Sequence, residues 1–348
     1  MTPLLRHSRS LVRFSALPST SAVSCGQRPG RALGLLSALV FTFAAVAASA
    51  QSYTSIVVFG DSLSDVGNVA DLTQAKYGVR IPGPIADYTD GRFTDGTFTV
   101  PAALNFHGIW VEQLAAMLPS KPKIKASLDG GTDYAYGFAG TGKGTAPLAL
   151  GTTGLSVTVN NIGQQITDYL ATKPKITNKT LFVVWGGAND LLGATSTNDV
   201  VNAAINEASD VERLIQAGAT QILVPNLPPL GLVPRLNGSP TTSVPATAAT
   251  VLYNTTLRTA LGIVQALNFF RRMNLYQLDV FKLFQKIVAS PSSFLLTNVT
   301  AMSQGNYLVN PDTFLFWDDL HPTTRGHDIL ATAADVLLGG DGDEDDSH

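Results

Sequence analysis

Apolar runs rich in β-branched residues occur at Ser55 to Phe59, Leu181 to Trp185, Gln221 to Pro225 and Leu275 to Val280, and none shows the alternation of a half-exposed strand. Short runs without a polar face predict strands buried on both sides, as in a parallel sheet. Asp133 to Ala139 is a further strand candidate. Between these runs, Ile162 to Leu170, Val200 to Ala217, Ala246 to Ala266 and Thr323 to Leu338 carry apolar residues three and four positions apart, the pattern of helices laid against a sheet. The alternation predicts an α/β fold, a three-layer α/β/α sandwich with a mostly parallel sheet. No internal repeat or interdomain linker interrupts it.

The stretch from Val66 to Gly131 breaks this rhythm. It is rich in Gly, Pro, Asp and aromatic residues, Tyr88-Thr89-Asp90-Gly91-Arg92-Phe93 among them. A long insertion directly after a strand end often shapes a substrate pocket, and the alternative is a surface loop that touches no substrate.

The predicted strands end in chemistry. The first stops at Gly60-Asp61-Ser62-Leu63, the second at Gly186-Gly187-Ala188-Asn189-Asp190, and Phe316-Trp317-Asp318-Asp319-Leu320-His321-Pro322 lies near the other end of the chain. Parallel strands deliver their carboxyl ends to one edge, where open α/β sheets bind ligands. A serine hydroxyl is a poor nucleophile until a neighbour takes its proton, and an imidazole that titrates near neutrality suits the task. Ser62 is therefore the candidate nucleophile and His321 the candidate base. Three residues of spacing let Asp318 reach the far imidazole nitrogen, whereas the adjacent Asp319 diverges. Asp61 and Asp190 read as turn-stabilising acceptors of backbone N–H groups. The other histidines outside the leader, His107, His327 and His348, read as surface or structural residues.

In these blocks the chain resembles the GDSL esterases and lipases of the SGNH hydrolase superfamily. Gly60-Asp61-Ser62-Leu63 matches the family's first block, Gly137 in Tyr134-Ala135-Tyr136-Gly137-Phe138-Ala139 the second, Gly187-Ala188-Asn189-Asp190 the third and Asp318-Asp319-Leu320-His321 the fifth. The second block departs from the pattern, with Phe138 where the family often has another glycine. The resemblance implies a flavodoxin-like sandwich, a Ser62–His321–Asp318 triad, and an oxyanion hole made by the backbone N–H groups of Ser62 and Gly137 with the side-chain amide of Asn189.

Composition narrows the class. With 45% hydrophobic and 14% charged residues in 348, the chain has material for a large core. Residues 1–50 hold five arginines and no acid, then an apolar run ending in Ala48-Ser49-Ala50, the pattern of a secretory signal peptide cleaved before Gln51. Removing it moves the formal net charge from −3 to −8 and removes the single cysteine, Cys25. The expected organisation is a signal peptide over 1–50, a hydrolase domain over 51–338 and an acidic disordered tail over 339–348, in a secreted protein. An acidic surface argues against nucleic acid as a partner. Too few, too scattered histidines argue against a metal site, no phosphate-binding loop spacing is present, and no cofactor is implied. No later segment is long and apolar enough to span a membrane. Asn178, Asn237, Asn254 and Asn298 fit the N-glycosylation pattern, which matters in a eukaryotic source.

The function expected from these residues is hydrolysis of carboxylic esters through an acyl-enzyme on Ser62, with a small-molecule, lipid or acetylated-carbohydrate ester as substrate. An acyltransferase using the same acyl-enzyme, a carbohydrate acetylesterase and an inactive binding module are the alternatives. Oligomeric state is not legible.

Overall fold

A computed structural model of the chain describes residues 52–95, 108–151 and 154–339. The expected leader and the tail beyond Gly339 lie outside the described residues, as do His107 and His348.

In chain order the elements are β1 (Ser55–Gly60), α1 (Asn68–Tyr77), α2 (Trp110–Met117), β2 (Thr145–Ala149), β3 (Ser156–Asn160), α3 (Ile162–Ala171), β4 (Thr180–Trp185), α4 (Ala188–Gly193) and α5 (Thr197–Gln216). These are followed by β5 (Gln221–Pro225), α6 (Pro234–Asn237), α7 (Pro240–Leu267), β6 (Asn274–Leu278), α8 (Val280–Ala289), β7 (Asn298–Met302), β8 (Phe314–Phe316) and α9 (Thr324–Leu337). β1, β4, β5 and β6 form one parallel sheet in that order, with Val58 opposite Val183 and Leu223 opposite Tyr276.

Alternation along each strand separates two cores. Ile56, Val58, Leu181, Val183, Trp185 and Leu223 pack with side chains of α2, α8 and α9, while Val57, Phe59, Phe182, Val184, Ile222 and Val224 pack with those of α3, α5 and α7. Helices on both faces make the expected three-layer α/β/α sandwich. Each large side chain so buried contributes about 1.5–3 kcal/mol, which explains why the runs need no polar face.

Segment 133–139 is not a full strand. It runs beside β1 through Val58 N–H to Thr132 O (3.0 Å), Tyr134 N–H to Val58 O (2.8 Å) and Tyr136 N–H to Gly60 O (3.2 Å), but forms only one bridge with β1, Val58 with Asp133, and another between Asp133 and Ala126. The Asp133 carboxylate accepts the N–H groups of Ala135 and Val66 and so folds its own chain locally.

Other boundaries moved for local reasons. The last sheet strand stops at Leu278 because Asp279 caps α8, its carboxylate accepting Lys282 N–H at 3.1 Å. α7 begins at Pro240 behind the Ser239 cap and carries Pro245 inside it, where Ala246 was the expected start. The irregular stretch after Val66 contains α1 and α2, and α2 packs on α9. Among the described residues, no helix is long and apolar enough to cross a membrane.

Candidate active site

Ser62 stands on the turn leaving β1. A side chain at Gly60 would place its Cβ 2.8 Å from Trp185 O on the neighbouring strand, so only glycine lets the chain turn there. The Asp61 carbonyl accepts Ser64 N–H and Asp65 N–H, both at 3.0 Å, and its carboxylate accepts Leu63 N–H at 3.0 Å. Ser64 Oγ takes a 3.2 Å hydrogen bond from buried Trp110, which ties the turn to the core.

His321 arrives from the turn between β8 and α9. That turn closes on itself through Trp317 N–H to His321 O at 2.8 Å and a bridge between Phe316 and Pro322. His321 Nε2 lies 2.8 Å from Ser62 Oγ, and its Nδ1 lies 2.7 Å from Asp318 Oδ2. The carboxylate is fully engaged: Oδ1 accepts Leu320 N–H at 2.7 Å and His321 N–H at 2.6 Å, and Oδ2 also accepts the Tyr88 hydroxyl at 2.6 Å. Asp319 points elsewhere, gripped by Arg235 through two hydrogen bonds of 2.8 Å.

Electrostatics follow from this geometry. Burial pushes the Asp318 carboxyl up, but the His321 charge and the bonds from His321 and Tyr88 outweigh it and hold the group below the usual carboxylate range. Burial pulls the His321 imidazole down, and Asp318 more than offsets it, so His321 titrates above an ordinary histidine. His327 has no such partner. Fully buried, with neither ring nitrogen hydrogen-bonded among the described residues, it is pushed down to about 3 by burial and then by the charge of His321. It is a neutral structural residue rather than a surface one.

Asn189 sits in the first turn of α4, where Gly187 precedes it at φ 97°. Its Nδ2 donates to Ala139 O at 3.0 Å, which leaves its second N–H for another acceptor. Asp190 accepts Thr141 N–H and the Thr141 hydroxyl, the expected turn-holding role.

Gly137, expected in the oxyanion hole, is already engaged. Its N–H donates to Asp65 Oδ2 at 2.9 Å and is not free for an oxyanion, while a Cβ there would meet the Phe93 ring at 2.5 Å. The glycine is needed for packing. Beside Ser62 Oγ, the amides of Ser62 and Phe138 have no acceptor among the described residues. Phe138 adopts φ 71°, the left-handed backbone that glycine favours, and its ring is half exposed.

Sequence reasoning passed over Asp65, Asn68 and Tyr88. Asp65 accepts the N–H groups of Gly67, Asn68, Val69 and Gly137, and the Asn68 amide donates to the carbonyls of Asp133 and Ala135. Together they fix segment 133–139 beside the Ser62 turn. The signal for Asp65 and Asn68 was their place directly after the first block; Tyr88 had only its aromatic setting.

Beside Ser62, His321 and Asn189 opens a narrow cavity of about 50 Å³ lined largely by apolar side chains, including Leu63, Trp185, Leu192, Leu230 and Phe284. Among the described residues, no group of three or more His, Cys, Asp or Glu side chains is arranged to hold a metal ion.

A parallel α/β sandwich whose carboxyl edge carries hydroxyl, imidazole and carboxylate in one hydrogen-bonded series has the parts needed for acyl transfer. The class is carboxylic ester hydrolase. Residues 56–334 match the GDSL-like Lipase/Acylhydrolase family, and the chain belongs to it. It is 28% identical over 335 residues to an uncharacterized protein of the trpE-trpG intergenic region of Pseudomonas putida, with 86% of this chain and 52% of that protein covered. It therefore spans about half of that relative's length. It is 27% identical over 268 residues to a phosphatidylcholine-sterol acyltransferase of Aeromonas hydrophila, covering 76% of this chain and 69% of that one. It is also 27% identical over 351 residues to a GDSL esterase/lipase of Arabidopsis thaliana, covering 84% and 91% of the two chains.

Proposed function

We propose that the protein is a secreted serine esterase that hydrolyses esters of short acyl chains through an acyl-enzyme on Ser62. The observation that carries this reading is the series Ser62 Oγ, His321 Nε2, His321 Nδ1 and Asp318 Oδ2, with links of 2.8 and 2.7 Å. Ser62 Oγ attacks the ester carbonyl carbon as its proton passes to His321 Nε2, and Asp318 stabilises the imidazolium. The carbonyl oxygen, now an oxyanion, is met by the amides of Ser62 and Phe138 and by Asn189 Nδ2. Collapse expels the alcohol oxygen, which takes the proton from His321. Water then attacks the acyl carbon, gives its proton to His321, and the second collapse returns that proton to Ser62 and releases the carboxylic acid.

Short acyl groups are favoured because the apolar cavity beside Ser62 is small, about 50 Å³. Secretion is supported by the basic and then apolar pattern of residues 1–50, and the hydrolase domain is taken to span 51–338 with the tail after it. The Aeromonas relative is named an acyltransferase, and an alcohol in place of water would complete transfer from the same acyl-enzyme.

The test is fluorophosphonate labelling and an ester panel from acetyl to palmitoyl that includes acetylated xylan. Labelling at Ser62, loss of label and of about 10³-fold or more in rate in Ser62→Ala, and fastest turnover of the shortest acyl groups are expected. A label on another serine overturns the mechanism, and fastest turnover of palmitoyl esters overturns the acyl-length reading. Added alcohol that diverts most acyl groups to a new ester makes the protein a transferase.

A further inference from the structure

The turn from Tyr88 to Asp95 reaches the acid–imidazole pair from the other side of the sequence. Tyr88 donates its hydroxyl to Asp318 Oδ2 at 2.6 Å, and its ring meets Trp317 edge-on with centroids 6.3 Å apart. Phe93, five residues on, lies against the imidazole of His321 with ring centroids 5.1 Å apart and planes 32° apart. One short turn thus touches both the carboxylate and the base.

That turn is held by contacts outside the triad. Tyr88 and Asp95 form an antiparallel bridge. Arg80 pairs with Asp90 at 2.7 Å and with Asp71 of α1 at 2.5 Å, and Arg92 pairs with Glu112 of α2 at 2.6 Å. At the far end, Asp95 accepts Thr324 N–H and the Thr324 hydroxyl, and Thr94 Oγ1 donates to Pro322 O at 3.0 Å. The turn is therefore clamped to α1, to α2 and to the start of α9, so its two aromatic side chains are placed without help from a substrate.

We propose that Tyr88 is a positioning residue for Asp318 and His321: its hydroxyl fills the last acceptor site of the carboxylate, and with Phe93 against the imidazole it keeps Nε2 aimed at Ser62. The proposal rests on the triad reading above. Its chemistry has two parts. A fourth hydrogen bond stops the carboxylate from rotating away from Nδ1. The same donor lowers the basicity of Asp318, so that the proton shared with His321 stays on the imidazole. Burial and the nearby Asp318 raise the Tyr88 phenol, which keeps it a donor at working pH.

The experiment compares wild type, Tyr88→Phe, Tyr88→3-fluorotyrosine and Ser62→Ala on p-nitrophenyl acetate, with kcat, KM and melting temperature for each. Tyr88→Phe is expected to lower kcat about 10-fold with KM nearly unchanged, since the bond it removes acts through the base. It is also expected to move the ascending limb of kcat/KM to higher pH, because an Asp318 relieved of one donor holds imidazolium more strongly. 3-Fluorotyrosine keeps the shape and is a stronger donor, so it moves the limb down. The charged groups facing His321 are Asp318 on its own turn, Asp61 after β1 and Arg235 on α6, with the titratable but neutral His327 on α9, and none is altered. Unchanged kcat and limb in a folded Tyr88→Phe overturn the proposal, as does a lowered melting temperature with the limb unmoved. Should Tyr88→Phe not fold, an unmoved limb in the fluorotyrosine variant overturns it. Full activity in Ser62→Ala instead sinks the triad reading itself.

Discussion

Gly137 donates its backbone N–H to Asp65 Oδ2 at 2.9 Å across 72 residues of sequence, so that the second block hangs from the first. Asp65 is buried and receives four backbone donors, from Gly67, Asn68, Val69 and Gly137. Asp65→Ala leaves all four without an acceptor, and each buried orphan costs about 1–3 kcal/mol. The expected outcome is a loss of roughly 3 kcal/mol or more in urea unfolding, with activity falling further than the unfolded fraction explains. Unchanged stability would mean that water replaces the carboxylate at no cost.

The oxyanion donor proposed at Phe138 has its own test. Phe138→Gly keeps the N–H and suits φ 71°, so kcat should stay within about 3-fold and stability should hold or rise by about 1 kcal/mol. Asn189→Ala should cut kcat by about 10²-fold to 10³-fold with little change in KM. A crystal of the phosphonylated enzyme decides the geometry: the oxyanion oxygen is expected about 2.7–3.1 Å from Phe138 N. The same distance from Gly137 N, with its Asp65 bond broken, would restore the original assignment.

Much of the sheet was legible because β1, β4 and β5 are apolar on both faces, and burial on both faces is what a parallel sheet demands. Ser62 and Asn189 were read as polar ends of such strands, whereas Asp318 and His321 follow β8, outside the main sheet, and were read from their spacing in one short segment. What escaped is non-local. α1 buries Asn68, Val69, Ala70 and Thr73, which is no apolar stripe, so its helix follows from packing and hydrogen bonds made elsewhere. Pro245 reads as a helix breaker and hid the first turn of α7. The Tyr88 contact joins residues 230 apart, and no local pattern encodes which carboxylate a tyrosine will meet.

Asp61 links the site to pH-dependent stability. Nearly inaccessible, it is raised to about 6, chiefly by burial, with Leu63 N–H and the His321 charge opposing. A carboxyl with a raised folded pKa stabilises the fold below its unfolded pKa, near 4, and that contribution disappears as pH rises through about 6. Asp61→Asn removes the penalty of a buried charge while keeping an acceptor for Leu63 N–H. Its stability should exceed wild type by roughly 2 kcal/mol at pH 7.5 and match it near pH 4. Melting curves at the two pH values check this, and an equal difference at both would remove Asp61 from the account.

Asp318 and His321 should behave as one unit. If Asp318 acts by orienting His321 and stabilising its charged form, Asp318→Ala damages the enzyme alone and is nearly silent once His321 is alanine. Wild-type activity should rise with pH as the imidazole loses its proton, with a midpoint above that of an ordinary histidine because Asp318 outweighs burial. Asp318→Ala leaves burial unopposed by its main partner, so the residual activity should titrate at lower pH. Asp319→Ala is the control: it breaks the paired bonds to Arg235 on a partly exposed surface, and a loss of no more than about 5-fold is expected. Rates of wild type, the three single variants and the double mutant across pH 5 to 9 test the set. Losses that simply multiply in the double mutant would show two independent residues, and an inactive Asp319→Ala beside an active Asp318→Ala would move the acid by one position.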